Sequence, residues 1–94
     1  MEFKDKDIEA FWNDPDANIP RRVPPSCRKT LYRKLQILDA ATSLLDLKIP
    51  PNNHLEKLKG SRAEQYSIRV NKQWRLCFKW TDQGAKGVEF CDYH

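Results

Sequence analysis

The sequence predicts an α+β fold, with two N-terminal helices packed on a small, mainly antiparallel twisted sheet. Three observations carry that prediction. Apolar residues recur at helical spacing twice in the first half of the chain, as Ile8, Phe11 and Trp12 and again as Cys27, Leu31, Leu35 and Leu38. In the second half they alternate. The clearest run is Gln73 to Trp80, where Trp74, Leu76, Phe78 and Trp80 point one way and Arg75, Cys77 and Lys79 the other. Short loops separate the alternating runs, and short loops join neighbouring strands antiparallel.

Composition sets the frame. The 94 residues suit one domain spanning 1–94, and 39% hydrophobic with 32% charged residues describes a globular chain. The net charge of +4, from 17 Lys and Arg, points to a polyanionic partner or else to a solvated basic surface. Three cysteines, with no CxxC pair and no His/Cys cluster at metal spacing, read as free thiols of a reducing compartment. No cofactor or metal is expected. Met1 to Asp5 lacks the apolar run of a signal peptide, and no later run is long enough to span a membrane, so the expected location is the cytoplasm.

Met1 to Phe3 is long enough for an edge strand. Asp5 can cap the first helix, whose apolar residues are Ile8, Phe11 and Trp12, and Asp14-Pro15 ends it. Residues 15 to 25 hold four of the six prolines with Arg21 and Arg22 and little apolar content, which describes a loop with few anchors. The strongest helix follows Pro24-Pro25-Ser26 and runs to about Ala41. Cys27, Leu31, Leu35 and Leu38 form its buried stripe, with Arg28, Lys29, Arg33 and Lys34 on its flanks and outside. Leu44, Leu45 and Leu47 are expected to pack under the following loop, which breaks at Ile49-Pro50-Pro51. Strands are then expected at Leu55 to Leu58, Tyr66 to Val70, Gln73 to Trp80 and Gly87 to Asp92, the last with Val88 and Phe90 inward.

Parity gives a register. Opposed residues of an antiparallel pair share a face, so a three-residue loop Asn71-Lys72-Gln73 pairs Val70 with Trp74, Ile68 with Leu76 and Arg69 with Arg75. The same exercise with a loop Gln83-Gly84-Ala85 sets Phe78 opposite Phe90, Trp80 opposite Val88, Lys79 opposite Glu89 and Asp82 opposite Lys86. It also places Cys77 beside Cys91 and Arg75 beside Tyr93. A row Arg69, Arg75, Tyr93 then crosses the outer face. Opposed arginines repel unless an anion lies between them, and that anion is either a carboxylate such as Glu64 or Glu89 or a ligand phosphate.

The chain closes on Asp92-Tyr93-His94. A His moves protons near neutral pH, a Tyr stacks a base or bonds an oxygen, an Asp orients the His and an Arg grips a phosphate. Together these groups suit cleavage of RNA by its own 2′-hydroxyl, and they equally describe a phosphate-binding surface without turnover.

Four stretches, Leu55-Glu56-Lys57-Leu58-Lys59-Gly60, Tyr66 to Asn71, Gln73 to Phe78 and Val88 to His94, resemble the HigB toxins, GraT-like, of the RelE/ParE superfamily. Asp39-Ala40-Ala41-Thr42 at the helix exit fits the same pattern. The resemblance covers residues 30 to 94, and its specific part is the terminal Asp-Tyr-His with the upstream Trp74-Arg75. It implies a RelE-like fold and a type II toxin that cuts mRNA in the ribosomal A site against 16S rRNA. It also implies a helix-turn-helix antitoxin of HigA type that holds the toxin inactive, operator DNA being reached only through that antitoxin. Carried over by motif, Arg75 stabilises the scissile phosphate, Lys59 assists, and Asp92, Tyr93 and His94 close the site. Arg69, His54, Lys57, Arg62 and Lys79 are expected to contact RNA around them.

One position departs from the family pattern. Ribosome-dependent relatives often carry a His where this chain has Glu56. Either His54, two residues earlier and on the same parity if the strand extends back, takes its place, or Glu56 is itself the base. Two other functions stay open: a non-catalytic inhibitor of a target such as DNA gyrase, as in ParE-like relatives, and an attenuated toxin serving as operator corepressor.

Overall fold

The computed structural model describes residues Met1 to Asp92. Helix α1 spans Lys6–Asn13 and helix α2 spans Arg28–Ala40. Strands β1 (Glu56–Lys57), β2 (Tyr66–Arg69), β3 (Trp74–Thr81) and β4 (Gly84–Asp92) form one antiparallel sheet in the order β1-β2-β3-β4. The α+β arrangement is the expected one. The N-terminus adds an edge: Phe3 bridges Val88 in parallel, with Val88 N donating to Glu2 O at 3.0 Å and Lys4 N to Val88 O at 2.9 Å.

The two helices meet through aromatic rings. Tyr32 lies 5.7 Å edge-on from Phe11 and 5.3 Å from Trp12 between ring centroids. The expected stripe of α2 is buried in full at Cys27, Leu31, Leu35 and Leu38, against Ile68, Leu76, Phe78 and Val88 of the sheet. Of the three leucines after α2, only Leu47 is fully buried. Leu44 is half-buried and Leu45 stands out in solvent, because the 3-10 turn Leu44–Lys48 presents one side to the core and the other to water.

Lys34 does not lie outside. It is buried, and its Nζ donates to Asn53 Oδ1 at 2.6 Å while Asn53 Nδ2 donates to the carbonyls of Leu47 and Ile49. A lysine at the flank of the stripe therefore ties α2 to the 47–53 turn. Burial, with Arg33 adding to it, pushes its pKa down.

The proline-rich segment is anchored more firmly than its composition suggests. Val23 and Pro20 are buried, and Arg22 donates to Asp5 Oδ2 at 2.6 Å, to Asp7 Oδ2 at 2.8 Å and to the Phe90 carbonyl at 3.1 Å. Asp5 occupies the N-cap position of α1, but its side chain bonds no helix amide. It accepts from Arg22 and, at 2.8 Å, from the Phe90 N–H of β4. One carboxylate thus joins helix, loop and strand.

The β2–β3 register is the expected one, with Ile68 opposite Leu76 and Arg69 opposite Arg75, and with Val70 N donating to Trp74 O. Asn71 Oδ1 accepts the amides of Gln73 and Trp74, which closes the loop. The β3–β4 register differs from the expected one throughout. Leu76 faces Phe90, Cys77 faces Glu89, Arg75 faces Cys91, Lys79 faces Lys86 and Trp80 faces Ala85. The turn is Asp82-Gln83, between Thr81 and a Gly84 at φ +97°, and Asp82 has no Lys86 opposite it. Gly87 and Val88 together oppose Phe78, a bulge that Gly87 permits at φ +62°. The opposed lysines are relieved by Glu2, 3.2 Å from Lys86. Among the described residues no helix is long and apolar enough to cross a membrane.

Candidate functional site

Arg75 is the fixed point. The alternation that puts Leu76 and Phe78 in the core sends Arg75 and Cys77 to the other face, but that face is not solvent: Arg75 is 4% exposed and Cys77 equally buried. Ser67, small and buried on β2, leaves room for the guanidinium to fold across the strand. Arg75 Nε donates to Ser67 Oγ at 2.7 Å, and Nη2 donates to the Ser67 carbonyl at 3.3 Å and to the His54 carbonyl. Arg69, its opposed neighbour, turns away to the Asn71 carbonyl at 3.2 Å. The expected repulsion is therefore met partly by backbone acceptors. Glu89, the carboxylate expected to neutralise it, is held by Arg62 at 2.8 Å and Lys4 at 3.1 Å instead.

His54 does not extend β1. It ends the 3-10 turn Pro51–Asn53 in the left-handed region at φ +45°, an uncommon backbone state for a residue with a Cβ. That turn aims its carbonyl at Arg75 and leaves its imidazole exposed.

Two clefts adjoin at Glu56. The larger, about 630 Å³, is lined by Glu56, Lys57, Leu58, Lys59, Arg62, Cys77, Cys91 and Asp92. The smaller, about 280 Å³, is lined by His54, Glu56, Arg69, Asn71, Lys72 and Arg75. Six cationic side chains thus border two carboxylates, which makes the pair of clefts an anion-receiving surface. Asp92 is oriented by Gln73 Nε2, which donates to Oδ2 at 3.1 Å across the β3–β4 pair. Every expected residue within the described part reaches one of the two clefts except Lys79, which lies beyond Arg62 beside the Gly60–Arg62 turn. Tyr93 and His94 lie outside the described residues, and so does the expected pairing of Arg75 with Tyr93.

Lys72, Asn71 and the two thiols of the larger cleft were not among the expected site residues. Lys72 sits in the β2–β3 loop, where a loop lysine gives no signal until the hairpin is seen to curl beside Arg69. Cys77 and Cys91 are diagonal neighbours and both are free thiols, as expected. Cys91 is pushed well up by its contact with Cys77, by burial and by the Glu89 carboxylate, to which its Sγ donates at 3.1 Å. Burial opposes ionisation at Glu89, but hydrogen bonds from Arg62, Cys91 and Lys4 outweigh it and hold that carboxyl below its usual range.

The guanidinium is held in place by hydroxyl and carbonyl acceptors, and a carboxylate, an imidazole and lysines border it within the same clefts. Such a set can hold a phosphodiester and exchange protons with it.

The chain has sequence relatives over most of its length. The chain is 50% identical over 82 residues to Toxin HigB-1 of Vibrio cholerae serotype O1, an alignment covering 87% of this chain and 84% of the relative. It is 40% identical over 92 residues to an uncharacterized protein of Haemophilus influenzae, covering 98% and 88%. It is 28% identical over 95 residues to Endoribonuclease HigB of Proteus vulgaris, covering 98% and 96%. The family model described as RelE-like toxin of type II toxin-antitoxin system HigB matches residues 1–94, so the chain belongs to the HigB-like toxins, a family whose members work against an antitoxin partner.

Proposed function

We propose that this toxin is an endoribonuclease that cuts mRNA in the ribosomal A site, against 16S rRNA, by attack of the RNA's own 2′-hydroxyl on the adjacent phosphate. The single observation that carries the reading is the meeting of Arg75, Glu56 and Asp92 at two adjoining basic clefts. A base, Glu56 or His94, takes the 2′-hydroxyl proton. Arg75, with Lys59, stabilises the crowded phosphorane. An acid from the C-terminal group returns a proton to the leaving 5′-oxygen, which leaves a 2′,3′-cyclic phosphate and a 5′-hydroxyl. Arg69, Lys57, Arg62 and His54 hold the strand on either side. In the cytoplasm the partner is a HigA-type helix-turn-helix antitoxin, through which the pair reaches operator DNA. The name of the Proteus vulgaris relative supports the reaction class.

Primer extension on a defined mRNA, with and without programmed ribosomes, tests the reading. Cuts are expected only with ribosomes, and His94→Ala should lower the rate by about 100-fold or more. Because Arg75 is also buried and bonded within the fold, Arg75→Lys rather than Arg75→Ala is the informative partner variant, checked by its melting temperature. No cuts from protein that still arrests growth would overturn the proposal.

A further inference from the structure

A third cavity, about 340 Å³, opens beside β1 and is walled by Leu44, Leu45, Leu55 and Tyr66, with Lys48 and Lys57 at its rim. Leu45, on its wall, is 68% exposed, and Ile49, which directly follows the rim residue Lys48 in the chain, is 73% exposed. The cavity lies on the other face of the sheet from Glu56 and Ser67, because Lys57 pairs with Tyr66 while Glu56 pairs with Ser67. It also lies against β1, the end strand of the sheet order.

We propose that this cavity is where the cognate antitoxin docks, through a segment that presents apolar anchors flanked by Asp or Glu. The proposal rests on the family's antitoxin partnership and not on the cleavage reading. Apolar walls call for Leu, Ile, Val or Phe anchors, and the two rim lysines call for carboxylates beside them. Nucleic acid fits less well, since no arginine lines the cavity to fork a phosphate and the walls are chiefly aliphatic. A short end strand adds an edge along which an extended segment can run. Lys57 lines both this cavity and the larger basic cleft, so a docked segment would lie against a residue that also faces the RNA side.

The test is calorimetric titration of the purified full chain with the purified antitoxin of its own operon, using wild type, Leu45→Glu and Ile49→Glu, with the ribosome-programmed cleavage assay run on the same samples. Both positions are exposed, so both variants are expected to fold, and two of them guard against one failing. Leu45→Glu should raise the Kd by about tenfold or more, because it puts a carboxylate in the apolar wall, and Ile49→Glu should raise it less, because it puts one next to the rim residue Lys48, where the acidic flank must sit. Cleavage should be unchanged. A Kd within twofold of wild type in both variants overturns the proposal, as does lost cleavage with antitoxin affinity intact, which would assign the surface to the ribosome. A wild-type chain that binds antitoxin and cuts nothing defeats the cleavage reading alone.

Discussion

His54 has two separable parts. Its backbone, at φ +45°, supplies the carbonyl that fixes Arg75, and its imidazole stands at the mouth of the smaller cleft. Glycine adopts that backbone state without the Cβ penalty, so His54→Gly keeps the carbonyl in place and removes only the ring. The expected outcome is a melting temperature equal to or above that of wild type, with weaker RNA binding and a lower cleavage rate. A drop in stability would show instead that the ring itself holds the turn. Lys34 carries the same lesson in another form, because its charge is spent on Asn53 and Asn52 inside the protein and not on a partner. At both residues the side-chain type was visible in the chain and its role was not, since neither a turn's handedness nor a lysine's depth is written in local pattern.

The element that sets the site's C-terminal edge is β4, and its bulge decides which residue reaches where. With two residues opposing Phe78, everything beyond Gly87 is displaced along β3, which brings Cys91 opposite Arg75 and Asp92 opposite Trp74. Trp74 then stacks on Phe90 with ring centroids 4.4 Å apart, and Phe90 is held at its amide by Asp5 and at its carbonyl and ring by Arg22. Gly87 has open space around the position of a Cβ, so Gly87→Ala is penalised by backbone conformation and not by a clash. Urea unfolding should show a loss of roughly 1 kcal/mol, and Gly87→Asn should lose less. If Gly87→Ala is neutral, the bulge tolerates another backbone state and the register argument weakens.

At the scale of the whole molecule, stability leans on carboxylates that join distant parts of the chain. The hydrogen bond from Arg22 holds Asp7 below its usual range, and Glu89 is held low by Arg62, Cys91 and Lys4 against the pull of burial. For both, the folded pKa lies below the unfolded one, with ordinary values of 3.8 for Asp7 and 4.5 for Glu89. Their stabilisation is complete above those values and is lost as pH falls through the folded ones. Urea midpoints measured stepwise should therefore hold from neutrality down to about pH 5 and fall below it. Glu89→Gln should lower the plateau and flatten the acid limb, and an acid limb of unchanged slope in that variant would remove Glu89 from the account.

The resemblance to the HigB toxins pointed to Lys59, Glu56 and Asp92 at the clefts, while local sequence determined the class of each main element, the buried stripe of α2 and the β2–β3 register. It could do so because helical and alternating periodicities, and the parity of a short loop, depend only on near neighbours. Tertiary structure decided the rest. The β3–β4 register turned on a bulge that sits where the N-terminal segment pairs with Val88, more than 80 residues away along the chain. The burial of Arg75 depended on the His54 turn and on Ser67, and the anchoring of residues 15 to 25 depended on Asp5, Asp7 and Phe90. An alternating pattern states which face of a strand is apolar. Only the packed chain states what covers the other face, and there Arg75, expected in an outer-face row with an anion beside it, became an internally braced arginine at the meeting of two clefts.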